Sequence, residues 1–174
     1  MKFRNFLLFL FVFLVLSNAA NGQAIKRTSY PETVIPFYGQ IGGYTVVSPD
    51  VDRVAVVVST GLEKGVMVTG WLGVWFKPTL FEKSITFSPN GRRLAFIASA
   101  KEGKQQAVVV DETEGKPYDS ILEGTLAFSP DSAHLAYIAQ TSGKQFLIVD
   151  GEVKYGDTSL IKKFLFSPDG KRLA

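Results

Sequence analysis

Four stretches of the chain repeat one pattern, and their spacing decides the fold class. They read VSPDVDRVAV at 47–56, FSPNGRRLAF at 87–96, FSPDSAHLAY at 128–137 and FSPDGKRLA at 166–174, so they begin 40, 41 and 38 residues apart. In each copy a Ser-Pro pair stands between two apolar segments. A period of about 40 residues indicates a supersecondary unit that buries its apolar surface against neighbouring copies of itself.

The residues of each copy favour β-strands joined by tight turns. Pro ends strand pairing because its nitrogen carries no hydrogen. The Asn or Asp that follows can hydrogen-bond its own backbone, and Gly accepts a positive φ. In the two clearest units the second, third and fourth strands are predicted over Leu94–Ala98, Ala107–Val110 and Tyr118–Leu122, and over Leu135–Ala139, Phe146–Val149 and Tyr155–Leu160. We further expect Tyr118 and Tyr155 to be equivalent structural positions.

The predicted strands must be covered on both faces. Leu94–Ala98 and Ala107–Val110 are continuous apolar runs, whereas a strand with one solvated face alternates between apolar and polar residues. The connections at 101–104 and 141–144 are short turns that contain Gly, and such turns join antiparallel strands. Four-stranded antiparallel sheets that are buried on both faces and repeat along the chain are typical of β-propeller blades.

The stretch FSPDGKRLA at 166–174 resembles the WD40-like repeat of TolB-type β-propellers. The resemblance covers 41–174 and is closest in the three later copies. Val51 and Ser132 replace the usual Gly, and no aromatic residue precedes the first Ser-Pro. The resemblance implies an all-β fold with about three blades and an incomplete one, and we therefore expect a fragment of a larger propeller. In TolB-like proteins, and in propellers fused to prolyl-oligopeptidase-like hydrolases, this repeat builds a binding or gating surface.

The N-terminus has the order of a secretory signal peptide. Lys2 and Arg4 precede an unbroken apolar run of 11 residues at 6–16, and small and polar residues follow. A membrane span needs about 20 apolar residues, so this run is too short for a stable anchor. The sequence predicts a signal-peptide helix at 1–24, a lead-in segment at 25–40 and an incomplete propeller at 41–174. We expect an exported protein, periplasmic or extracellular, that meets the membrane only through the signal peptide during export.

Charge and composition narrow the classes of ligand. The formal net charge is +3, and removal of the predicted signal peptide leaves 17 basic and 16 acidic residues with no basic stripe, so no nucleic acid is expected as a partner. The chain has no Cys and a single His. Thiolate sites and clusters of several His ligands are therefore excluded, and we expect no metal and no cofactor.

No residue is predicted to be catalytic. His134 occupies the position of Arg93 and Arg172 in the other copies, which indicates a solvent-facing turn residue. The recurring Asp and Asn residues could line a calcium site, but a cap on the turn is the favoured interpretation. The predicted structural turn residues are Ser88, Pro89, Asn90, Gly91, Ser129, Pro130, Asp131, Ser167, Pro168, Asp169 and Gly170.

One aromatic cluster departs from the repeat. Trp71, Trp75 and Phe76 form a candidate partner-binding surface, although packing between blades is the more common use of such residues. The sequence thus predicts an exported, non-catalytic scaffold that binds another protein. The alternative is the N-terminal propeller of a longer prolyl-oligopeptidase-like hydrolase whose catalytic domain follows residue 174.

Overall fold

The computed structural model describes residues 40–59, 63–69, 74–77, 79–100, 103–158 and 160–174. The predicted signal peptide and nearly all of the predicted lead-in segment lie outside these residues. The described residues belong to one compact unit of the chain. Among them, no helix has the length and apolar character needed to cross a membrane.

The described strands form three antiparallel sheets, one for each of the first three repeat units. The first sheet consists of β1 (Gln40–Val47), β2 (Val54–Ser59), β3 (Lys64–Val68) and β4 (Val74–Lys77) in that order. The second consists of β5 (Leu80–Phe87), β6 (Leu94–Ala100), β7 (Gln105–Val110) and β8 (Thr113–Glu114). The third adds β9 (Ser120–Ile121) to β10 (Ala127–Phe128), β11 (Leu135–Thr141), β12 (Lys144–Val149) and β13 (Glu152–Thr158).

Successive sheets pack face to face, as the second strand of the second sheet shows. Leu94, Phe96 and Ala98 of β6 join a core with the first sheet, whereas Ala95 and Ile97 join a core with the third sheet. Side chains alternate between the two faces of a strand, so both faces of β6 are buried. The prediction that these strands are covered on both sides is confirmed.

The fourth repeat unit is present only as its beginning. Phe166 and Leu173 form an isolated antiparallel bridge, and a third core joins Ile138, Leu147 and Ile161. The described part of the chain is therefore all-β and made of propeller blades, with three sheets and the start of a fourth unit. This agrees with the predicted fold class, except that the third sheet has a fifth short strand, β9.

The predicted fourth strand of the second unit is wrong. The sequence places it at Tyr118–Leu122, but the fourth strand is β8, which follows β7 after a two-residue turn. Asp111 and Glu112 in that turn have φ values of 45° and 73°, and a two-residue turn with two positive φ angles closes a tight hairpin. Tyr118 forms only an isolated bridge with Gln106, and the next residues enter the third sheet as β9.

The predicted equivalence of Tyr118 and Tyr155 is also wrong. Tyr118 is 4% exposed, whereas Tyr155 is 63% exposed. Irregularities in the register between β12 and β13 place Thr158, not Tyr155, opposite Gln145. Gln145 is the repeat counterpart of Gln106, and Gln106 bridges to Tyr118. The structural counterpart of Tyr118 is therefore Thr158, three residues after the Tyr155 that the sequence match predicts.

Phe96 lies in the core between the first and second sheets, so its truncation should strongly destabilise the protein. Phe96 is 2% exposed, and we expect Phe96→Ala to lower the free energy of unfolding by about 3–5 kcal/mol. Urea unfolding followed by circular dichroism measures the change. Val153→Ala is the control because Val153 is 53% exposed, and its effect should stay within about 0.5 kcal/mol. Equal effects of the two substitutions would contradict the packing described above.

Candidate functional site

The four Ser-Pro segments form turns of one design, here called the repeat turns (48–53, 88–93, 129–134 and 167–172). In the second turn, Ser88 N donates to Arg93 O over 3.0 Å and Gly91 N donates to Ser88 O over 2.9 Å. The Ser88 hydroxyl donates to Asn90 Oδ1 over 2.7 Å and accepts from Arg93 N over 3.0 Å. Corresponding bonds recur in the other three turns.

The serines of the repeat turns act as structural bridges. Ser88 and Ser129 are fully buried and Ser48 is 2% exposed, and each hydroxyl both donates and accepts within its own turn. The side chain of the Asp or Asn also accepts a backbone N–H two residues further along. This is the turn cap that the sequence predicts. Among the described residues, no three His, Asp or Glu side chains come together as potential metal ligands.

Hydrogen bonding lowers the pKa of the three turn carboxylates. The Ser129 hydroxyl holds the pKa of Asp131 below its ordinary value, with a further contribution from the N–H of Ala133. The pKa values of Asp50 and Asp169 are lowered for the same first reason, a bond from the serine two residues earlier. These bonds favour the charged form of the carboxyl group.

Neighbouring repeat turns contact each other at their fourth position, where φ is positive in all four copies. The carboxylate of Asp50 fills the space that a Cβ atom on Gly91 would need, and Asp131 does the same at Gly170. The second and third turns meet differently, because Asn90 N donates to Ser132 Oγ over 3.0 Å. The turns therefore form a continuous row along one edge of the sheets.

Arginine side chains strengthen this row. Arg53 Nη1 donates to Arg92 O over 2.9 Å, and Arg93 Nη1 donates to Ala133 O over 3.0 Å. Arg93 also pairs with Asp111, with 2.8 Å between Nε and Oδ2, and its guanidinium lies 5.3 Å from the centre of the Phe128 ring. One arginine thus joins two strands of its own sheet and reaches the next unit.

His134 takes the arginine position in the third turn. Its Nδ1 lies 2.7 Å from Asp150 Oδ2, which repeats the contact between Arg93 and Asp111. Both side chains are 44% exposed. The structure thus places His134 as a solvent-facing turn residue, where the sequence predicts it, and its contact with Asp150 has a structural counterpart in the second sheet.

Two further kinds of side-chain acceptor recur between units and were not predicted from the sequence: a Gln amide oxygen and a hydroxyl. Gln106 Oε1 accepts Ile121 N and Gln145 Oε1 accepts Ile161 N, both over 2.6 Å. Hydroxyls likewise accept backbone N–H groups inside the sheets, from Ile97 N to Ser84 Oγ over 2.7 Å and from Ile138 N to Thr125 Oγ1 over 3.1 Å. Extending the repeat alignment beyond the Ser-Pro turns would have revealed the two Gln and the two hydroxyl positions, since each pair recurs at nearly the repeat spacing.

Four large exposed apolar side chains lie close together in sequence after β12. Val153, Tyr155, Leu160 and Leu165 are between 53% and 63% exposed and are here called the apolar patch. Tyr155 also lines a cavity of about 550 Å³. Other side chains around that cavity are Lys163, Phe164, Phe166, Lys171 and Arg172. Exposed apolar groups of this size mark interaction surfaces when they cluster.

The predicted aromatic surface lies outside the described side chains. Trp71 is not among the described residues. Trp75 and Phe76 belong to β4, opposite Val66 and Gly65 of β3, but their side chains are not among those described. This surface therefore stays a prediction.

Several solved structures are similar to this chain, and three of them are a protease propeller domain, TolB and hydrazine synthase. No family model and no curated protein matches the chain. The β-propeller domain of the Trilobed protease from Pyrococcus furiosus has a TM-score of 0.46 and 16% identity over 69% of this chain and 42% of that one. TolB from Acinetobacter baumannii has a TM-score of 0.47 and 18% identity over 78% of this chain and 37% of that one. Kuenenia stuttgartiensis hydrazine synthase has a TM-score of 0.33 and 16% identity over 84% of this chain and 58% of that one. The chain thus spans less than two thirds of the length of each of these structures.

The contact between neighbouring turns predicts unequal effects of two glycine substitutions. Gly91 and Gly103 both have positive φ, so Ala at either position should cost about 1–2 kcal/mol of backbone strain. A Cβ atom at Gly91 also displaces the Asp50 carboxylate, whereas no atom of the described residues lies within 4 Å of one at Gly103. We expect Gly91→Ala to destabilise the protein by at least about 1 kcal/mol more than Gly103→Ala, measured by urea unfolding. Equal losses of unfolding free energy in the two variants would contradict this prediction, because they would mean that the Asp50 side chain moves aside without cost.

The lowered pKa values predict a loss of stability in acid. A carboxyl group whose pKa is lower in the folded protein stabilises it above the unfolded pKa of about 3.9, and this contribution disappears as pH falls through the folded pKa. Asp131→Asn places at this position the neutral amide that the second turn has at Asn90. The variant should lose less stability than the parent chain as the pH falls, so the acid limb of its curve of stability against pH should be less steep. The measurement is thermal unfolding across that range. An acid limb in Asp131→Asn as steep as that of the parent chain would contradict the prediction.

Proposed function

We propose that this chain is an exported, non-catalytic TolB-like β-propeller that acts as a scaffold and binds another protein through the apolar patch. The observation that carries the proposal is the exposure of its four large apolar side chains, Val153, Tyr155, Leu160 and Leu165. Each is more exposed than it would be in a core strand, and removing such area from water drives protein association. The rigid row of repeat turns would hold the patch in a fixed place.

The charges beside the patch favour an acidic partner segment. Lys163, Lys171 and Arg172 line the neighbouring cavity and make no ion pair among the described residues. Lys154 at the same cavity is held by Glu152, with 2.8 Å between Nζ and Oε2. Cationic side chains beside an apolar surface attract a segment with apolar side chains and carboxylates.

Export and the lack of catalysis rest on the sequence. The signal-peptide pattern at 1–24 supports passage across a membrane and a periplasmic or extracellular location. The equivalence of His134 with Arg93, in sequence and in its carboxylate contact, supports a structural role for the only histidine.

Site-specific photo-crosslinking tests the proposal. A photoreactive amino acid at Tyr155 should give an adduct with one other protein in cells that export the chain, and Leu160→Ser with Leu165→Ser should abolish it. Val47 is the control position, since it is 50% exposed but lies on the first unit. A reactive group there should give no such adduct.

Three results would overturn the proposal. Equal adducts at positions 47 and 155 would show that the crosslinking is unspecific. Adducts composed only of this chain would show self-association in place of partner binding. Adducts that persist when Lys163, Lys171 and Arg172 are all changed to Glu would contradict the acidic partner.

A further inference from the structure

Asn90 is the one amide among the four equivalent turn positions. The other three copies have Asp50, Asp131 and Asp169 there. Gly91 follows Asn90, and an Asn-Gly pair is the sequence most prone to deamidation because glycine has no Cβ atom to hinder its own nitrogen. From the contacts of this turn we infer that Asn90 is a deamidation site. The folded turn slows the reaction and accommodates its aspartate product.

The reaction uses only the chain and water. The backbone nitrogen of Gly91 attacks Cγ of Asn90, the new N–Cγ bond forms, the Cγ–Nδ2 bond breaks, and ammonia leaves with the proton from the Gly91 nitrogen. Water then opens the succinimide ring. Cleavage of the N–Cγ bond gives aspartate at this position, and cleavage of the bond to the main-chain carbonyl gives isoaspartate. The net change is one amide and one water converted to one carboxylic acid and one ammonia.

Three hydrogen bonds engage the reacting groups in the folded turn. The Gly91 N–H is engaged by Ser88 O over 2.9 Å. Asn90 Oδ1 accepts from the Ser88 hydroxyl over 2.7 Å and from Arg92 N over 3.1 Å. Ser88 thus engages the attacking nitrogen through its carbonyl and the side-chain carbonyl of Asn90 through its hydroxyl, and reaction requires that the turn open first.

The same contacts explain why aspartate fits. Both groups that reach Asn90 Oδ1 are donors, and a carboxylate accepts such bonds more strongly than an amide does. Asp131 in the third turn already makes the same pair of bonds, with Ser129 and Ala133. The contact with the next unit uses Asn90 N and Ser132 Oγ, so it does not depend on the side chain.

Isoaspartate should not fit. Its extra main-chain carbon lengthens the turn between Ser88 and Arg93, whose paired N–H and C=O groups close the turn. It also shifts the nitrogen that contacts Ser132. The folded turn thus accommodates aspartate but not isoaspartate.

Peptide mapping by mass spectrometry tests the inference on the full chain. Samples held folded and in urea, at one mildly alkaline pH and temperature, are compared for conversion of Asn90, with electron-transfer fragmentation to distinguish aspartate from isoaspartate. We expect conversion at least about tenfold slower in the folded protein, because only the opened fraction reacts. Asn90→Asp should keep the thermal midpoint of the parent chain, and refolded isoaspartyl protein should melt lower.

Two further variants sharpen the result. Ser88→Ala removes one holding contact and should raise the folded-state rate, whereas Ser120→Ala, whose hydroxyl makes no such bond, should leave it unchanged. If Ser88→Ala does not fold, the comparison between folded and urea samples of the parent chain still decides. Equal deamidation rates in the folded and urea samples would contradict the claim that the folded turn slows the reaction. A lower thermal midpoint for Asn90→Asp would contradict the claim that the turn accommodates aspartate.

Discussion

The burial of the middle strands on both faces is the constraint on which the rest of the structure depends. Strand β6 places Leu94, Phe96 and Ala98 toward one sheet and Ala95 and Ile97 toward another. No sheet of this kind can remove its apolar surface from water alone, because antiparallel strands bury both faces only between two neighbours. Repetition of the unit along the chain is the consequence, and the sheets follow one another at the spacing of the repeat.

The repeat turns connect these sheets with polar contacts that need little space. Each buried serine closes its own turn, and the Asp or Asn beside it meets the next turn at a position where the backbone has positive φ. The arginines add donors across the same boundary. A backbone carbonyl is present whatever the side chain of its residue is, so these contacts tolerate the difference between Arg92 and Ala133 at the exposed position.

The candidate functional surface lies where the repeats diverge. The residues after β12 differ from their counterparts after β7, since β13 has seven residues and β8 has two. Val153 and Tyr155 of this longer strand are exposed, and so are Leu160 and Leu165 after it. Divergence of one unit is the way a repeated fold acquires a specific surface without disturbing its common core.

The sequence by itself determined the middle β-strands of the sheets, the repeat turns, the two-sided burial and the role of His134 as a substitute for arginine. Those features depend on local chemistry: Pro and Gly in turns, and continuous apolar runs. Only the tertiary structure decided that Tyr155 is exposed, that β9 joins the following sheet and that Ser132 contacts Asn90. These depend on register and on contacts between units some 40 residues apart, and a shift of a few residues in a strand changes which side chain faces the core.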